Sequence, residues 1–378
     1  MDSPRGLIRR RETPLNLGAG IPALDGIRGL AVLQVLTSHL HVIIGATPFT
    51  VTPWQWFNKT LEPGFLGVDV FFVLSGFLIT SILLRDMESR RSGIFKAFYM
   101  RRALRLLPAL YVLLIASFLV AWWEGFPMDI QWRTTWHALL YLNNWNVQWN
   151  FMQTQDDLGH LWSLAIEEQF YLVWPVMLMV FLRARLKPVR IMFIIAMVII
   201  LVAWHRRDLW YDGVSWLFLY LRTDTRVDSL LMGSLFALLF RYYHFDGRFL
   251  NWIATISFLG IIYIKYNPGD SFIFVGGFTL IALLTGVIVL SAATGTWIGG
   301  RVISIRPLRV LGMISYGLYL WHALIFRVFA RHLHSGPQSF RILLALAVTA
   351  VFVTASWFFV EKPFLRLKDR KYGHAAQS

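Results

Sequence analysis

The side chains with the most chemistry to offer sit where they are most expensive to keep. In the stretch 24–41, LDGIRGLAVLQVLTSHLH, an apolar helical run carries Asp25, Arg28, His39 and His41. Charged groups inside a bilayer are costly and mark working sites. Arg28 and His39 are eleven residues apart. At about 100° per residue they lie about 20° apart on one helix face, separated by a rise of about 16 Å, roughly half the hydrocarbon thickness. His41 falls on nearly the opposite face. A guanidinium near one end of a span and an imidazole further along the same stripe read as two stations on one path. The plainer alternative is an arginine that snorkels to the interface and a histidine that satisfies a buried hydrogen bond.

Further constellations follow along the chain. HLWSLAIEEQFYLVWP places His160 and Glu167 seven residues apart, with Ser163 and Leu164 between them on one face. An imidazole two turns from a carboxylate suits an acid–base or orienting pair, against an interhelical polar network at about 1 kcal/mol per bond. ISYGLYLWHALI sets Ser315, Tyr319 and His322 at i, i+4 and i+7, a polar stripe. Asp69 stands at the head of GVDVFFVLSGF, and Arg226 and Asp228 lie two apart in TRVDSLLMG, where a local salt bridge and a functional pair are both open. In MRRALRLLP, Arg102 and Arg105 are spaced i, i+3 and can clamp one anion, or simply signal topology. Neither HExxH nor GxSxG, Walker or GxGxxG patterns occur, and no metal ligand set is expected.

The elements that must position these groups are membrane spans. Hydrophobic residues make up 57% of the 378 and charged residues 15%, with mean hydropathy +0.55; soluble domains average about 25% charged. The expected fold class is all-α: a polytopic membrane protein, a bundle of about ten transmembrane helices with both termini cytoplasmic. The expected spans are 24–44, 65–84, 106–123, 160–182, 189–204, 226–240, 249–264, 272–292, 310–329 and 340–360. The segment 124–159, rich in Trp and Asn, leaves the count open by one helix pair. The net charge of +15 sits in short loops, so it predicts topology and contacts with membrane lipid and anionic ligands rather than nucleic acid. His205, Arg206 and Arg207 are the exception, falling on the predicted outer side. Cysteine is absent, which excludes disulfides and thiol catalysis. No cleavable signal peptide is expected; the first helix serves as its own anchor. Basic tails are expected at 1–20 and 364–378, around a membrane domain at 21–363. With this topology His39, Asp69, His160, Arg226, Asp228 and His322 lie in the outer half, and Arg28, Arg101, Arg102 and Arg105 at the inner surface.

DGIRGLAVLQVLTSHL, GVDVFFVLSGFLIT, FYMRRALRLLP, HLWSLAIEEQFYLVWP, TRVDSLLMG and ISYGLYLWH, in this order, resemble the bacterial acyltransferase 3 family of integral-membrane O-acyltransferases. The resemblance runs from Leu24 to about Pro363. It implies about ten spans in the bacterial cytoplasmic (inner) membrane. It also implies transfer of an acyl group, often acetyl, from cytoplasmic acyl-CoA to a sugar hydroxyl such as that of O-antigen, exopolysaccharide or another lipid-linked glycan. Arg28 and His39 match the family's Arg-ten-residues-His motif. Arg102 and Arg105 match its Arg-x-x-Arg motif. His160, Trp162, Ser163, Leu164 and Glu167 match its helix-4 signature. Many relatives carry a C-terminal esterase-like domain; none is expected after EKPFLRLKDR. The acceptor is therefore expected to reach the membrane domain directly, or through a separate periplasmic acyl-relay partner.

The expected mechanism takes acyl-CoA as donor substrate, with no bound cofactor. Its phosphates lie near Arg102, Arg105 and Arg28, and its thioester reaches toward His39. His39 acts as general base or carries the acyl group, with Glu167 or Asp69 orienting the ring and His160 in the same polar set. The competing class is a transporter or flippase for a glycolipid or small anion, which polar groups at mid-depth also suit. A membrane scaffold that binds anionic lipid ranks last.

Overall fold

In a bilayer each backbone N–H and C=O must find its partner within the protein, so long apolar runs fold as helices. The computed structural model describes residues 7–12, 17, 20–44, 66–88, 93–146, 157–264 and 270–372. Its long helices are α1 Pro22–Ile44, α2 Leu66–Glu88, α3 Ile94–Trp123, α4 Met128–Leu139, α5 Trp162–Arg183, α6 Pro188–Tyr211 and α7 Val227–Tyr242. They continue as α8 Gly247–Tyr263, α9 Phe278–Thr294, α10 Arg306–Met313, α11 Ser315–His332, α12 Gln338–Ser356 and α13 Lys362–Tyr372. The all-α reading has one exception. Within the basic tail, β1 Ile8–Arg10 pairs antiparallel with β2 Tyr243–Phe245, Arg9 opposite His244. Residues 45–65 and 265–269 between expected spans, Arg90 and Arg91, residues 147–156 of the 124–159 segment and the ends of both tails lie outside the described residues.

Among the described residues six helices are long and apolar enough to cross a membrane: α2, α3, α5, α6, α9 with its preceding π turn, and α12 continued into α13. A seventh appears if α10 and α11, bent by 72° at their junction, count as one. Large apolar side chains point outward along these helices, such as Phe193 and Leu201 on α6 and Leu343 and Val351 on α12, as lipid-facing surfaces do. The protein is a multi-pass membrane protein. The remaining expected spans are helices that fall below that length or apolarity. α7 and α8 hold 16 and 17 residues, about 24–26 Å long and short of a hydrocarbon layer of about 30 Å. α1 is long enough, but Asp25, Arg28, Gln34, Thr37, Ser38 and His39 dilute its apolar content. α3 differs at its start. FYMRRALR, expected as loop, is the first part of the helix, so Arg101, Arg102 and Arg105 stand on α3 itself.

The chain groups into two compact units: residues 1–38, 51–89 and 166–313, and residues 39–50, 90–165 and 314–378. The first is built around α2 and α7. Gly76 faces the Leu230 carbonyl and Gly233 faces the Val73 carbonyl so closely that a Cβ at either would overlap the backbone. Small residues let two membrane helices approach to this distance. Trp174 then donates to Thr80 Oγ1 and Thr80 to Ser234 Oγ, both at 2.8 Å, tying α5 to the pair. α1 crosses α10 by the same device, with Gly312 against the Asp25 carbonyl and Gly29 against that of Leu308.

In the second unit α11 runs beside α3 and α12, and α13 lies along α3. The last turn of α1 is seated there by Leu40 and Ile43, which pack with Phe326 and Phe329 of α11 and Ile342, Ala345 and Leu346 of α12.

Candidate active site

Three imidazoles meet in the second unit. The ring centroids of His39 and His322 are 5.0 Å apart, and those of His160 and His322 5.4 Å apart, both pairs edge to face. Each comes from a different element. His39 stands on the last part of α1, held by the Leu40 and Ile43 packing, and is half-buried. His322 is fully buried on α11, with Phe326 against it one turn on. His160, also buried, stands on a 3₁₀ turn, Gly159–Leu161, that leads into α5. That turn is anchored from outside. Arg331 donates to both oxygens of Asp157 at 2.7 and 3.0 Å, and Asn143 donates to the Leu158 carbonyl at 3.0 Å.

The expected polar stripe on α11 organises this cluster. Tyr319 donates its hydroxyl to the His160 carbonyl and lies 2.8 Å from Ser163 Oγ. His322 Nδ1 lies 3.0 Å from the Leu318 carbonyl. A carbonyl only accepts, so Nδ1 carries the proton and Nε2 keeps a bare lone pair. His322 Nε2 and both ring nitrogens of His160 are buried without hydrogen-bond partners. His160 lies on the 3₁₀ turn Gly159–Leu161, and Glu167 lies on α5. Glu167, in the first unit, accepts the Tyr171 hydroxyl at 3.0 Å. Among the described residues no group of three or more His, Asp or Glu side chains is placed to hold a metal ion.

The same unit also carries a cationic stretch on α3. Arg102 and Arg105 stand three residues apart on α3, just before Leu106, whose carbonyl accepts the Tyr316 hydroxyl at 2.7 Å. Tyr316 and His322 share α11 six residues apart, a rise of about 9 Å. The charge of Arg105 also reaches Glu361, a buried carboxylate in the π turn after α12 that accepts Ser356 Oγ–H at 3.1 Å. Sequence reasoning passed over Glu361. Its signal was a lone carboxylate closing an apolar run immediately before KPFLRLKDRK.

The first unit holds the remaining candidates in a sealed charge network. Arg226 donates to Asp69 Oδ1 at 2.7 Å, and Ser229 to the same oxygen at 3.2 Å. Arg206 donates to Asp228 Oδ2 at 2.9 Å, to the Thr225 and Phe274 carbonyls, and to Thr279. All four charged side chains have no exposed surface. The local Arg226–Asp228 bridge is therefore replaced by two crossed pairs. Two residues apart on a helix, side chains point to different faces. Of the 205–207 run, Arg206 is a buried, paired charge, while His205 and Arg207 stay exposed. Outside the spans, Arg222 grips Asp224 with Nε and Nη2 at 2.9 and 2.5 Å. Burial pushes the Asp224 carboxyl up, but Arg222 and His205 outweigh it and hold it below its ordinary range. Arg28 lies 3.9 Å from Asp25 within α1.

A family model described as an acyltransferase domain matches residues 21–361. The chain belongs to the acyltransferase 3 family. It is 32% identical to the peptidoglycan O-acetyltransferase OatA of Listeria monocytogenes, over 93% of this chain and 58% of that protein. It is also 32% identical to the putative peptidoglycan O-acetyltransferase YrhL of Bacillus subtilis, over 91% of this chain and 54% of that protein. A putative O-acetyltransferase of Staphylococcus aureus is 33% identical over 91% and 57% of the two chains. The chain thus spans a little over half the length of these curated relatives. No solved structure matches it.

Proposed function

We propose that this chain is a membrane O-acyltransferase that moves an acyl group, acetyl in the first instance, from acyl-CoA to a hydroxyl of a cell-envelope glycan. Family membership supports the reaction class. The relatives named for peptidoglycan O-acetylation make a peptidoglycan hydroxyl the first acceptor to test. The observation that carries the reading is the convergence of His39, His160 and His322, with His39 alone of the three half-exposed.

In this reading the donor enters from the cytoplasm, where both termini lie, and the acceptor is met on the far side of a bacterial inner membrane. The CoA phosphates take Arg102 and Arg105, and Arg28 adds a cation eleven residues before His39 on α1. Glu167, fixed by Tyr171, is the α5 carboxylate assigned to the same chemistry. Asp69 acts through Arg226, holding α2 to α7. His39 takes the proton of the acceptor hydroxyl, the oxygen attacks the thioester carbonyl, the C–S bond breaks, and the proton returns to the sulfur. An imidazole near neutrality suits that task. In the two-step variant His39 carries the acyl group itself. Acid-quenched labelled acyl-CoA reactions separate the routes, since only the second leaves label on the protein.

The test uses purified protein in detergent with acetyl-CoA and a muramyl glycan oligomer, following CoA release and ester formation. Wild type is expected to turn over. His39→Ala is expected to bind acetyl-CoA and not turn over. Wild-type protein without affinity for any acyl-CoA removes the donor and defeats the reading.

A further inference from the structure

Resting on that acyltransferase reading, we propose that His322 is the positioning residue for His39: its bare Nε2 receives the N–H of His39 during the reaction and so fixes which His39 nitrogen meets the acceptor hydroxyl. The tautomer comes first. The Leu318 carbonyl, 3.0 Å from Nδ1, commits that nitrogen as a donor. Nε2 is left as an acceptor, fully buried and without a partner. A buried acceptor left empty costs stability unless something uses it. The only kind of group that completes it is an N–H or O–H donor.

His39 is the donor the geometry brings to it. The two rings meet edge to face, centroids 5.0 Å apart and planes at 70°. A ring nitrogen lies about 1.2 Å from its centroid, so a modest turn of one ring brings the nitrogens within about 3 Å, the tightening expected once substrates are bound. The ring that turns is the half-buried His39. His322 is held from several sides, by Phe326 at 5.7 Å, Tyr319 at 5.9 Å and His160 at 5.4 Å. His160 is in turn held by the Tyr319 hydroxyl on its carbonyl. The charge of Arg327, further along α11, reaches both buried rings.

The step balances within the groups named. The acceptor O–H gives its proton to one nitrogen of His39. The proton on the other nitrogen shifts toward His322 Nε2. The C–O bond forms, the C–S bond breaks, and both protons move back as the thiolate takes one. The transient positive charge is shared by two rings, and the second already points its Nδ1–H at a carbonyl.

Two substitutions separate this role from packing. His322→Asn keeps an amide near the Leu318 carbonyl and offers nothing at the ε position; His322→Gln keeps an acceptor oxygen there. In the full chain, His322→Asn is expected to lower kcat by about 10²–10³-fold, with KM for acetyl-CoA within about twofold. His322→Gln is expected to recover at least about tenfold of the loss. Nitrogen-15 histidine spectra of the wild type, assigned by difference against His322→Gln, are expected to show a neutral ring protonated at Nδ1. His322→Asn within about threefold of wild-type kcat, or no better activity with Gln than with Asn, overturns the proposal. A spectrum protonated at Nε2 overturns it even where His322→Asn fails to fold. If wild type turns over and His39→Ala is inactive while His322→Asn is normal, only the positioning role falls. If wild type never uses acetyl-CoA, the acyltransferase reading falls and takes this role with it.

Discussion

Replacing Asp69 by Leu tests whether the buried charges are scaffold or chemistry. Arg226 is wholly enclosed, its Nη2 donates to Asp69 at 2.7 Å, and its Nε and Nη1 already lack partners. What remains for it without Asp69 is the face of Phe278, 3.6 Å away, and that of Tyr220. Removing one member of a buried pair strands the other charge and costs about 3–5 kcal/mol. For a unit of this size that is an apparent Tm roughly 6–20 °C lower. Adding Arg226→Met removes the stranded charge and is expected to return most of the loss, because apolar replacement of a whole buried pair is often neutral or stabilising by about 1–4 kcal/mol. The assay is thermal unfolding in detergent of wild type, both single variants and the double, read by tryptophan fluorescence and monodispersity after heating. The reasoning is refuted if Asp69→Leu melts within about 2 °C of wild type, or if the double variant is no more stable than the single. The same preparations report on chemistry. A double variant that folds and turns over acetyl-CoA makes Asp69 scaffold; one that folds and is inactive gives it a direct part.

Gly76→Val and Gly233→Val each drive a side chain into a facing carbonyl and are expected to abolish monodisperse protein in size-exclusion profiles. Gly276→Ala, with nothing near its added Cβ, should leave the profile unchanged. Arg102→Ala with Arg105→Ala is expected to weaken acetyl-CoA binding by at least about tenfold, since each lost charge-assisted bond is worth about 1.5–3 kcal/mol, while His39 chemistry on saturating donor changes little. Binding unchanged by titration calorimetry refutes the assignment. Asp224→Asn is expected to destabilise at neutral pH and not in acid. The depressed carboxyl contributes stability above its unfolded value and loses it as pH falls through the folded one, so melting curves of the two proteins should converge on acidification.

Much of this was readable in the sequence, for definite reasons. Apolar runs fixed the helices, because membrane depth demands them. The i, i+4, i+7 spacing of Ser315, Tyr319 and His322 placed a polar stripe on α11, and two of its members do organise the imidazole cluster. Spacing alone had no means of showing that His39 and His160 arrive at the same stripe from other elements. That is tertiary information. The charges misled where adjacency in sequence was taken for contact. Arg226 and Asp228 are near neighbours that pair elsewhere, and Arg206 imitates a loop charge while wholly enclosed. The break between α10 and α11 was also invisible, since Gly312 and Ile314 continue an apolar pattern through a 72° turn. α3 began earlier than expected because arginines are good helix formers and do not end a helix by being charged.

The crossed pairs also set an order of birth. Asp228 follows Arg206 by 22 residues and Arg226 follows Asp69 by 157. At a synthesis rate of about 5–20 residues per second, the first pair closes within roughly 1–4 s and the second only after about 8–30 s. α6 and α7 can therefore leave the ribosome as a charge-matched hairpin. α2 is made long before the arginine that answers its carboxylate. The Asp69–Arg226 bond therefore joins helices made far apart in time, whereas Arg206–Asp228 closes between consecutive long helices.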